Sequence, residues 1–375
     1  MKKVLLVFGT RPEAIKMAPL VKEFLKYKDE FGVKVCVTAQ HRQMLDQVLD
    51  FFEIIPDYDL NLMKLDQTLN GLIANILVDI KVVLDNFAPD YVLVHGDTAT
   101  SMAAALAAYF SRCKVAHVEA GLRTYNKWSP FPEEMNRQIT GRLADIHFAP
   151  TEQAAYNLLR EGIGTKNIGV TGNTVIDALQ ESVKKVNSIG YTNEEIRNLK
   201  TFLIPDKKII LVTGHRRENF GQGFINICHA LRDIAQMCQD IQIVYPVHLN
   251  PNVQKPVHDI LMGITNVFLT SPLSYPSFVW LMDKAHIILT DSGGVQEEAP
   301  SLGKPVLVMR DTTERPEAIE AGTVVLVGTD RSKIVTECMD LINNQERYNR
   351  MSLIKNPYGD GRACQRIVEF LRNEG

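Results

Sequence analysis

The sequence predicts an α/β protein made of two doubly wound domains, each with a parallel sheet. Short apolar runs rich in Val and Ile alternate with stretches of helical period. These runs are apolar on both faces, as expected for buried parallel strands, and strand–helix alternation is typical of βαβ units. The length of 375 residues favours two domains, at roughly 100–200 residues per domain.

The alternation can be followed along nearly the whole chain. The candidate strands are Val4–Phe8, Val33–Thr38, Tyr91–His95, Val115–Val118, Ile146–Ala149, Ile209–Thr213, Ile241–Pro246, Val267–Leu269, Ile287–Thr290, Val306–Met309 and Val324–Val327. The candidate helices between them include Glu13–Tyr27, Thr100–Tyr109, Glu133–Leu143, Phe224–Gln239 and Val295–Leu302.

The pattern weakens between Gly172 and Lys208, where one helical stretch ends at a Ser-Ile-Gly breaker. We therefore expect a first domain over residues 1–172 and a second over residues 173–359. An amphipathic stretch over residues 360–375 predicts a last helix that packs back on the first domain.

Composition excludes several classes of function. The chain is 45% hydrophobic and carries 41 basic and 44 acidic residues, for a net charge of −3. This balance argues against nucleic-acid or anionic-membrane binding as the main activity. No apolar window reaches the roughly 18 residues that a membrane span needs. Six scattered cysteines without a C-x-x-C spacing favour a reducing, cytoplasmic location and predict no metal site.

Open parallel sheets bind ligands beyond the carboxyl ends of their strands, so residues that follow strands are the informative ones. The first strand runs into Gly9-Thr10-Arg11-Pro12-Glu13, which opens a helix. Arg11 and Lys16, with the backbone N–H groups of that helix start, can bind an anion. An ordinary strand-to-helix turn with two solvated bases explains the segment equally well.

A second turn, Asp291-Ser292-Gly293-Gly294, also joins a strand to a helix. Its glycines let backbone N–H groups approach a diphosphate, and Ser292 can cap the helix or donate. Glu298, one turn further on, can accept hydrogen bonds from ribose hydroxyls. The alternative is a capped helix whose acidic residues complement its dipole.

Candidate acid–base groups follow other strands or the loops beyond them: Asp97, Glu119, Glu133 and His215. Each has a structural explanation on its own, as a helix cap, a first-turn residue or a loop hydrogen bonder. Together they indicate proton transfer at a sugar carbon, which needs acids and bases in different environments. Arg315 follows another strand and can hold a hydroxylated or charged group, or be one charge of a surface loop.

Several cofactor and catalytic fingerprints are missing from the sequence. It contains no G-x-G-x-x-G after a strand, no Walker A segment and no G-x-S-x-G elbow. Their absence argues against three kinds of chemistry: hydride transfer, P-loop phosphoryl transfer and α/β-hydrolase catalysis. We expect no cofactor.

Taken together, these motifs resemble the signature blocks of the non-hydrolysing UDP-N-acetylglucosamine 2-epimerases, in the family's order and over nearly the whole chain. The blocks are Phe8–Lys16, Val94–Asp97, His117–Arg123, Gly172–Thr174, Thr213–Glu218, Asp291–Glu298 and Arg310–Glu317. The resemblance implies a GT-B fold with an interdomain cleft, a homodimer, and interconversion of UDP-GlcNAc and UDP-ManNAc for surface polysaccharides.

The resemblance also implies roles for individual residues. Asp97, Glu119, Glu133 and His215 match catalytic positions of the family. The nucleotide- and sugar-binding positions are matched by Arg11, Lys16, Phe278, Ser292, Gly293, Gly294, Glu298 and Arg315. A second, allosteric UDP-GlcNAc site is implied at Gln40, His41, Arg42 and Gln43. Leu273 stands where relatives are expected to carry glutamine, which puts a polar contact there in doubt.

The C2 proton of the sugar is not adjacent to a carbonyl, so it cannot be removed by direct formation of an enolate. We expect instead that UDP leaves C1 while a base takes the C2 proton, giving 2-acetamidoglucal, and that UDP then adds back. Which of Asp97, Glu119 and Glu133 is the base stays open. Three rivals remain at this point: a GT-B glycosyltransferase, a hydrolysing epimerase, and a sugar-nucleotide sensor without turnover.

Overall fold

The computed structural model describes residues 1–39, 42–62, 67–313 and 315–374. The chain divides into two compact units. Unit 1 comprises Met1–Ala178 and Tyr358–Gly375, and unit 2 comprises Leu179–Pro357. The sequence placed these divisions at 172/173 and 359/360, whereas the first structural division falls inside a helix.

Unit 1 contains a parallel sheet, and its described strands lie in the order β3-β2-β1-β4-β5-β6-β7. The strands are β1 (Lys2–Phe8), β2 (Phe31–Val37), β3 (Tyr58–Asp59), β4 (Tyr91–His95), β5 (Lys114–Val118), β6 (Ile146–Ala149) and β7 (Ile168–Val170). The inner strands are apolar on both faces because helices cover both sides of the sheet.

Unit 2 contains a second parallel sheet, with its described strands in the order β10-β9-β8-β11-β12-β13. The strands are β8 (Lys208–Thr213), β9 (Ile241–Pro246), β10 (Val267–Thr270), β11 (Ile287–Thr290), β12 (Val306–Val308) and β13 (Val324–Leu326). Each predicted strand is present in the two sheets, with shifts of at most two residues at its ends. The sequence missed β3 and β7, which are short edge strands.

Helices connect successive strands. They are α1 (Arg11–Leu25), α2 (Arg42–Phe52), α3 (Leu69–Phe87), α4 (Ala99–Phe110), α5 (Glu133–Leu143), α6 (Glu152–Arg160), α7 (Thr174–Val186), α8 (Glu194–Phe202), α9 (Gln222–Met237), α10 (Pro251–Leu261), α11 (Tyr275–Lys284), α12 (Gly293–Glu298), α13 (Pro316–Ala321), α14 (Arg331–Asn343), α15 (Gln345–Ser352) and α16 (Ala363–Asn373). The helix predicted over Val295–Leu302 is in fact shorter: α12 ends at Glu298 and a 3₁₀ turn continues to Leu302.

The last helix, α16, returns to unit 1 and packs against α1. Phe370 of α16 meets Phe148 of β6 edge to face, with ring centroids 5.4 Å apart. The Asp177 carboxylate accepts from the backbone N–H groups of Ala363 at 3.1 Å and Cys364 at 2.9 Å. A carboxylate at a helix start complements the helix dipole, so Asp177 stabilises this return.

No helix in the described part of the chain combines the length and hydropathy needed to cross a bilayer.

Candidate active site

Each sheet has a switch point, where successive connections run in opposite directions along the sheet. In unit 1 it lies between β1 and β4, and in unit 2 between β8 and β11. Ligand sites in doubly wound folds form beyond the carboxyl ends of strands at this place. The segments that begin at Gly9, Gly96, Gly214 and Asp291 follow these four strands.

The β1–α1 turn in unit 1 is held by a capping box. Thr10 caps α1, and the Glu13 carboxylate accepts from the backbone N–H groups of Thr10 at 2.8 Å and Gly9 at 3.0 Å. Close packing accounts for the glycine at position 9. A Cβ at Gly9 would lie 1.9 Å from Thr38 Oγ1. The turn places Arg11 at the first residue of α1.

Glu119, directly after β5, is the centre of a cluster in unit 1. Lys16 Nζ donates to Glu119 Oε2, although 103 residues separate them. Asn173 Nδ2 donates to the same oxygen at 2.8 Å, and His95 Nε2 lies 3.6 Å from it. Only 11% of the Glu119 side chain is exposed. The structure thus brings together two predicted site residues, Lys16 and Glu119, and adds His95 and Asn173.

The environment of Glu119 keeps its carboxylate ionised. Burial by itself would raise the pKa of Glu119, but the nearby Lys16 and His95 outweigh it and hold that pKa well below its ordinary value. The backbone at Glu119 is also strained, with φ of +61° in the left-handed region. Such strain in a non-glycine residue is found preferentially at functional sites. Only a deprotonated carboxylate can accept a proton, so Glu119 is in the form that a base requires, although its lowered pKa makes it a weak base.

Asp97, two residues beyond the end of β4, lies in a second group of charges. Arg137 on α5 donates to Asp97 Oδ2 and lies 3.4 Å from Glu134 Oε2. The buried Glu134 carboxylate accepts from the backbone N–H groups of Thr124 at 3.0 Å and Tyr125 at 2.9 Å. Sequence reasoning missed Arg137; its only signal was a cation one helical turn after the paired glutamates.

Glu133, the other predicted carboxylate, is the first residue of α5 and is half-buried. It forms no ion pair with the described residues of the Glu119 or Asp97 groups. A catalytic role for Glu133 therefore stays a prediction.

At the unit 2 switch point, Asp291 after β11 lies beside His215 after β8. Asp291 is fully buried, and its Oδ2 accepts from the backbone N–H groups of His215 and Arg216, both at 2.8 Å. His215 Nδ1 is 3.4 Å from Asp291 Oδ1. Burial lowers the pKa of His215, with the Asp291 carboxylate opposing that effect. The imidazole is therefore held towards its neutral form, in which one ring nitrogen can accept a proton.

The Ser292–Gly294 turn follows Asp291 and opens α12. Ser292 is the N-cap residue, but its side chain makes no capping hydrogen bond with described residues. The Arg315 guanidinium covers Gly293: a Cβ there would lie 2.6 Å from Arg315 Cζ. Arg315 Nε donates to the buried Glu297 at 2.7 Å. The structure thus joins Arg315 to the glycine turn, 22 residues earlier in the chain, which the sequence did not reveal.

Other predicted binding residues occupy nearby elements of unit 2. A Cβ at Gly294 would lie 3.8 Å from Glu298 Oε2, so these two share one face of α12. Phe278 is half-buried on α11, and Leu273 is half-buried in the segment before it. Their contacts with a nucleotide remain predictions.

Two of the four predicted allosteric residues, Arg42 and Gln43, begin α2. Gln40 and His41 fall outside the described residues. Arg42 pairs with Asp46 at 2.9 Å and with Asp59, and Gln43 is exposed. Among the described residues, no three His, Cys, Asp or Glu side chains are grouped so that they could hold a metal ion.

Two doubly wound units, one with Asp97 and Glu119 beyond the ends of neighbouring strands and one with a glycine turn beneath an arginine, are typical of enzymes that act on nucleotide sugars. Comparison with known proteins identifies the family. The UDP-N-acetylglucosamine 2-epimerase family model matches residues 23–372. The chain belongs to this family.

Individual relatives are similar over nearly their full length. The chain is 60% identical to the UDP-N-acetylglucosamine 2-epimerase of Escherichia coli, over 99% of this chain and 98% of the relative. It is 56% identical to that of Campylobacter jejuni, over 99% and 97%. The Neisseria meningitidis UDP-GlcNAc 2-epimerase bound to UDP-GlcNAc superposes with a TM-score of 0.89 at 54% identity, covering 98% of this chain and 99% of that one.

Proposed function

We propose that this chain interconverts UDP-N-acetylglucosamine and UDP-N-acetylmannosamine by inverting C2 of the sugar. The observation that carries the proposal is Glu119, a nearly buried carboxylate held ionised at the end of β5. A glycosyltransferase of the same fold does not remove the C2 proton of the sugar and so has no need of a base there. Family membership, and a relative bound to UDP-GlcNAc, support this substrate.

The reaction runs by elimination and re-addition. The bond from C1 to the diphosphate oxygen breaks and its electron pair leaves with UDP. A carboxylate takes the C2 proton, and the C–H electrons form the C1–C2 double bond of 2-acetamidoglucal. A proton then reaches C2 on the other face, and a diphosphate oxygen of UDP returns to C1. Atoms and charge balance without an added oxidant.

The described residues divide this work between them. Glu119 and Asp97 are the proton-transfer groups of unit 1; Lys16 helps to keep the Glu119 carboxylate charged, and Arg137 donates to Asp97. The N–H groups of the Ser292–Gly294 turn and the Arg315 cation stabilise the departing diphosphate in unit 2. His215 exchanges a proton with the diphosphate. Glu133 is the third candidate base.

Incubation with UDP-GlcNAc alone in heavy water, followed by proton NMR, tests this function. We expect UDP-ManNAc with deuterium at C2. Free N-acetylmannosamine with UDP would instead identify a hydrolysing enzyme, and unchanged substrate a binding protein. UDP-ManNAc without deuterium at C2 would contradict proton transfer by bases that exchange their protons with the solvent.

We also propose a homodimer that uses the outer face of α3 and α4 in unit 1, which pack against each other. Large apolar side chains are exposed there: Val78 and Val82 on α3, and Tyr109 and Phe110 on α4, each more than 59% exposed. Exposed apolar side chains on adjacent helices favour burial against a second copy. Light scattering should give twice the monomer mass, and Val82→Glu should shift it to monomer; a monomeric wild type would contradict the dimer.

The cytoplasmic location and the allosteric site at Gln40, His41, Arg42 and Gln43 remain predictions.

A further inference from the structure

We propose that Asp291 is a positioning residue for His215: its Oδ1 holds the imidazole in the Nδ1–H form, so that Nε2 is the nitrogen that exchanges protons. The inference deepens the proposed function, because it assigns the state in which His215 enters that reaction.

The two oxygens of Asp291 have different surroundings. Oδ2 accepts from His215 N and Arg216 N at 2.8 Å each, and Asn219 Nδ2 lies 3.4 Å away. Oδ1 is buried and has no hydrogen-bond partner among the described residues. A buried carboxylate oxygen without a donor is costly, so a donor is expected next to it.

His215 Nδ1 is the group in place to supply that donor, at 3.4 Å from Asp291 Oδ1. An ionised carboxylate can only accept a hydrogen bond, so Nδ1 must carry the proton. A small rotation of the ring closes the contact and leaves Nε2 unprotonated in the neutral imidazole. The side chain of His215 is 43% exposed, which keeps the ring within reach of solvent and substrate.

Titratable or charged groups from three elements face the ring. His248, after β9, stacks on His215 with ring centroids 5.4 Å apart and an interplanar angle of 18°. His248 Nδ1 accepts from the backbone N–H of Asn250 at 3.1 Å, so that nitrogen is already engaged. Arg216 follows His215 in the chain. Burial, His248 and Arg216 lower the pKa of His215, and Asp291 alone among these groups raises it.

Nitrogen-15 NMR of histidine-labelled protein tests the orientation in the resting state, with the His215 signals assigned by their loss in His215→Asn. We expect a protonated Nδ1 and an unprotonated Nε2 in the wild type. In Asp291→Asn the amide N–H₂ faces Nδ1, so the proton should move to Nε2. The pKa of His215 should also fall by about one unit or more, because a nearby negative charge is lost.

Asn219→Ser is the matched structural control. It removes the Asn219 amide from Asp291 Oδ2 and from Met309 O, where Asn219 Nδ2 donates at 3.0 Å, but leaves Oδ1 unchanged. We expect a lower melting temperature and an unchanged His215 tautomer. A tautomer that changes equally in Asn219→Ser would overturn the role of Oδ1, since loop loosening would then be enough.

Turnover supplies the second measurement. Asp291→Asn should lower kcat by about 100-fold, as expected when an acid–base group is wrongly protonated. The double variant with His215→Asn should be no slower than His215→Asn alone, within about threefold, because Asp291 acts through His215. If the losses of kcat in the two single variants multiply in the double variant, the two residues act independently and the proposal is overturned. If the wild type shows no C2 exchange, the epimerase function fails, while the resting-state tautomer still decides the Asp291–His215 contact.

Discussion

The switch points of the two units share one sheet topology but differ in how they carry charge. In unit 1 charged side chains from separate elements pair with each other, Lys16 with Glu119 and Arg137 with Asp97. In unit 2 a glycine turn supplies backbone N–H groups, with Arg315 lying over Gly293 and Asp291 holding His215. The same sheet topology thus carries paired side-chain charges in one unit, which suit the proposed proton transfer, and backbone N–H groups beside an arginine in the other, which suit the proposed anion binding.

The largest expected effect concerns proton transfer in unit 1. Glu119→Gln removes a base of nearly the same shape, so kcat should fall by about 10²–10⁴-fold while KM changes by less than about threefold. Proton NMR of C2 exchange measures it. Glu346→Gln, at an exposed pair with Arg350, is the control and should leave turnover unchanged. A higher KM with an unchanged kcat would mean that Glu119 binds the substrate and does not transfer the proton.

Stability should show the cost of unpairing the same carboxylate. Lys16→Met leaves Glu119 buried without its cation, so the free energy of unfolding should fall by about 3 kcal/mol at neutral pH. Urea denaturation measures the change. Lys26→Met, which breaks a surface pair with Glu23, should cost at most about 0.5 kcal/mol. Equal losses in the two variants would mean that Glu119 is not held ionised by Lys16.

Acid should weaken unit 1 through two histidines that are paired across β5 and β6. Burial, the largest cause, lowers the pKa of His117 to about 3 and that of His147 to about 4, so both are neutral in the folded state. The unfolded chain takes up protons near the ordinary histidine pKa. Their stabilisation is therefore present above about pH 6.5 and falls as pH drops toward 4, by about 2 kcal/mol each between pH 7 and 5.

Urea midpoints across this pH range check the effect. His147→Gln should reduce the pH dependence of the free energy of unfolding by the equivalent of about one proton bound on unfolding. The control is His258→Gln, at an exposed histidine, which should leave that dependence unchanged. A slope that His147→Gln leaves unchanged would contradict the assignment.

The smallest expected effect sharpens the description of unit 2. Gly293→Ala adds a Cβ 2.6 Å from Arg315 Cζ, so the guanidinium must move and the affinity for UDP should fall about tenfold, or about 1.4 kcal/mol. Gly294→Ala adds a Cβ whose nearest neighbour is Glu298 Oε2 at 3.8 Å, an ordinary contact. It should weaken binding less than about twofold; calorimetry with UDP compares them. Equal losses of UDP affinity in the two variants would mean that an added Cβ obstructs the phosphate itself, and would contradict an effect through Arg315.

Much of the fold could be predicted because buried parallel strands must be apolar on both faces. The elements that sequence reasoning missed lack a clear local signal. Helix α3 keeps Val78 and Val82 exposed, which blurs its polar face. Strand β7 has only three residues. Helix α8 fell in a stretch where the alternation is weak, although Asn193 caps it.

The sequence by itself determined the two doubly wound sheets and the strand ends that carry Asp97, Glu119, His215 and the Ser292–Gly294 turn, because apolar periodicity and turn chemistry are local properties. Only the tertiary structure decided the partners: Lys16 for Glu119, Arg137 for Asp97, and Asp291 for His215. Partners 40 to 103 residues apart are fixed by strand order and by helices that return to the same sheet edge. Local sequence patterns do not encode that order, since many connections satisfy the same periodicity.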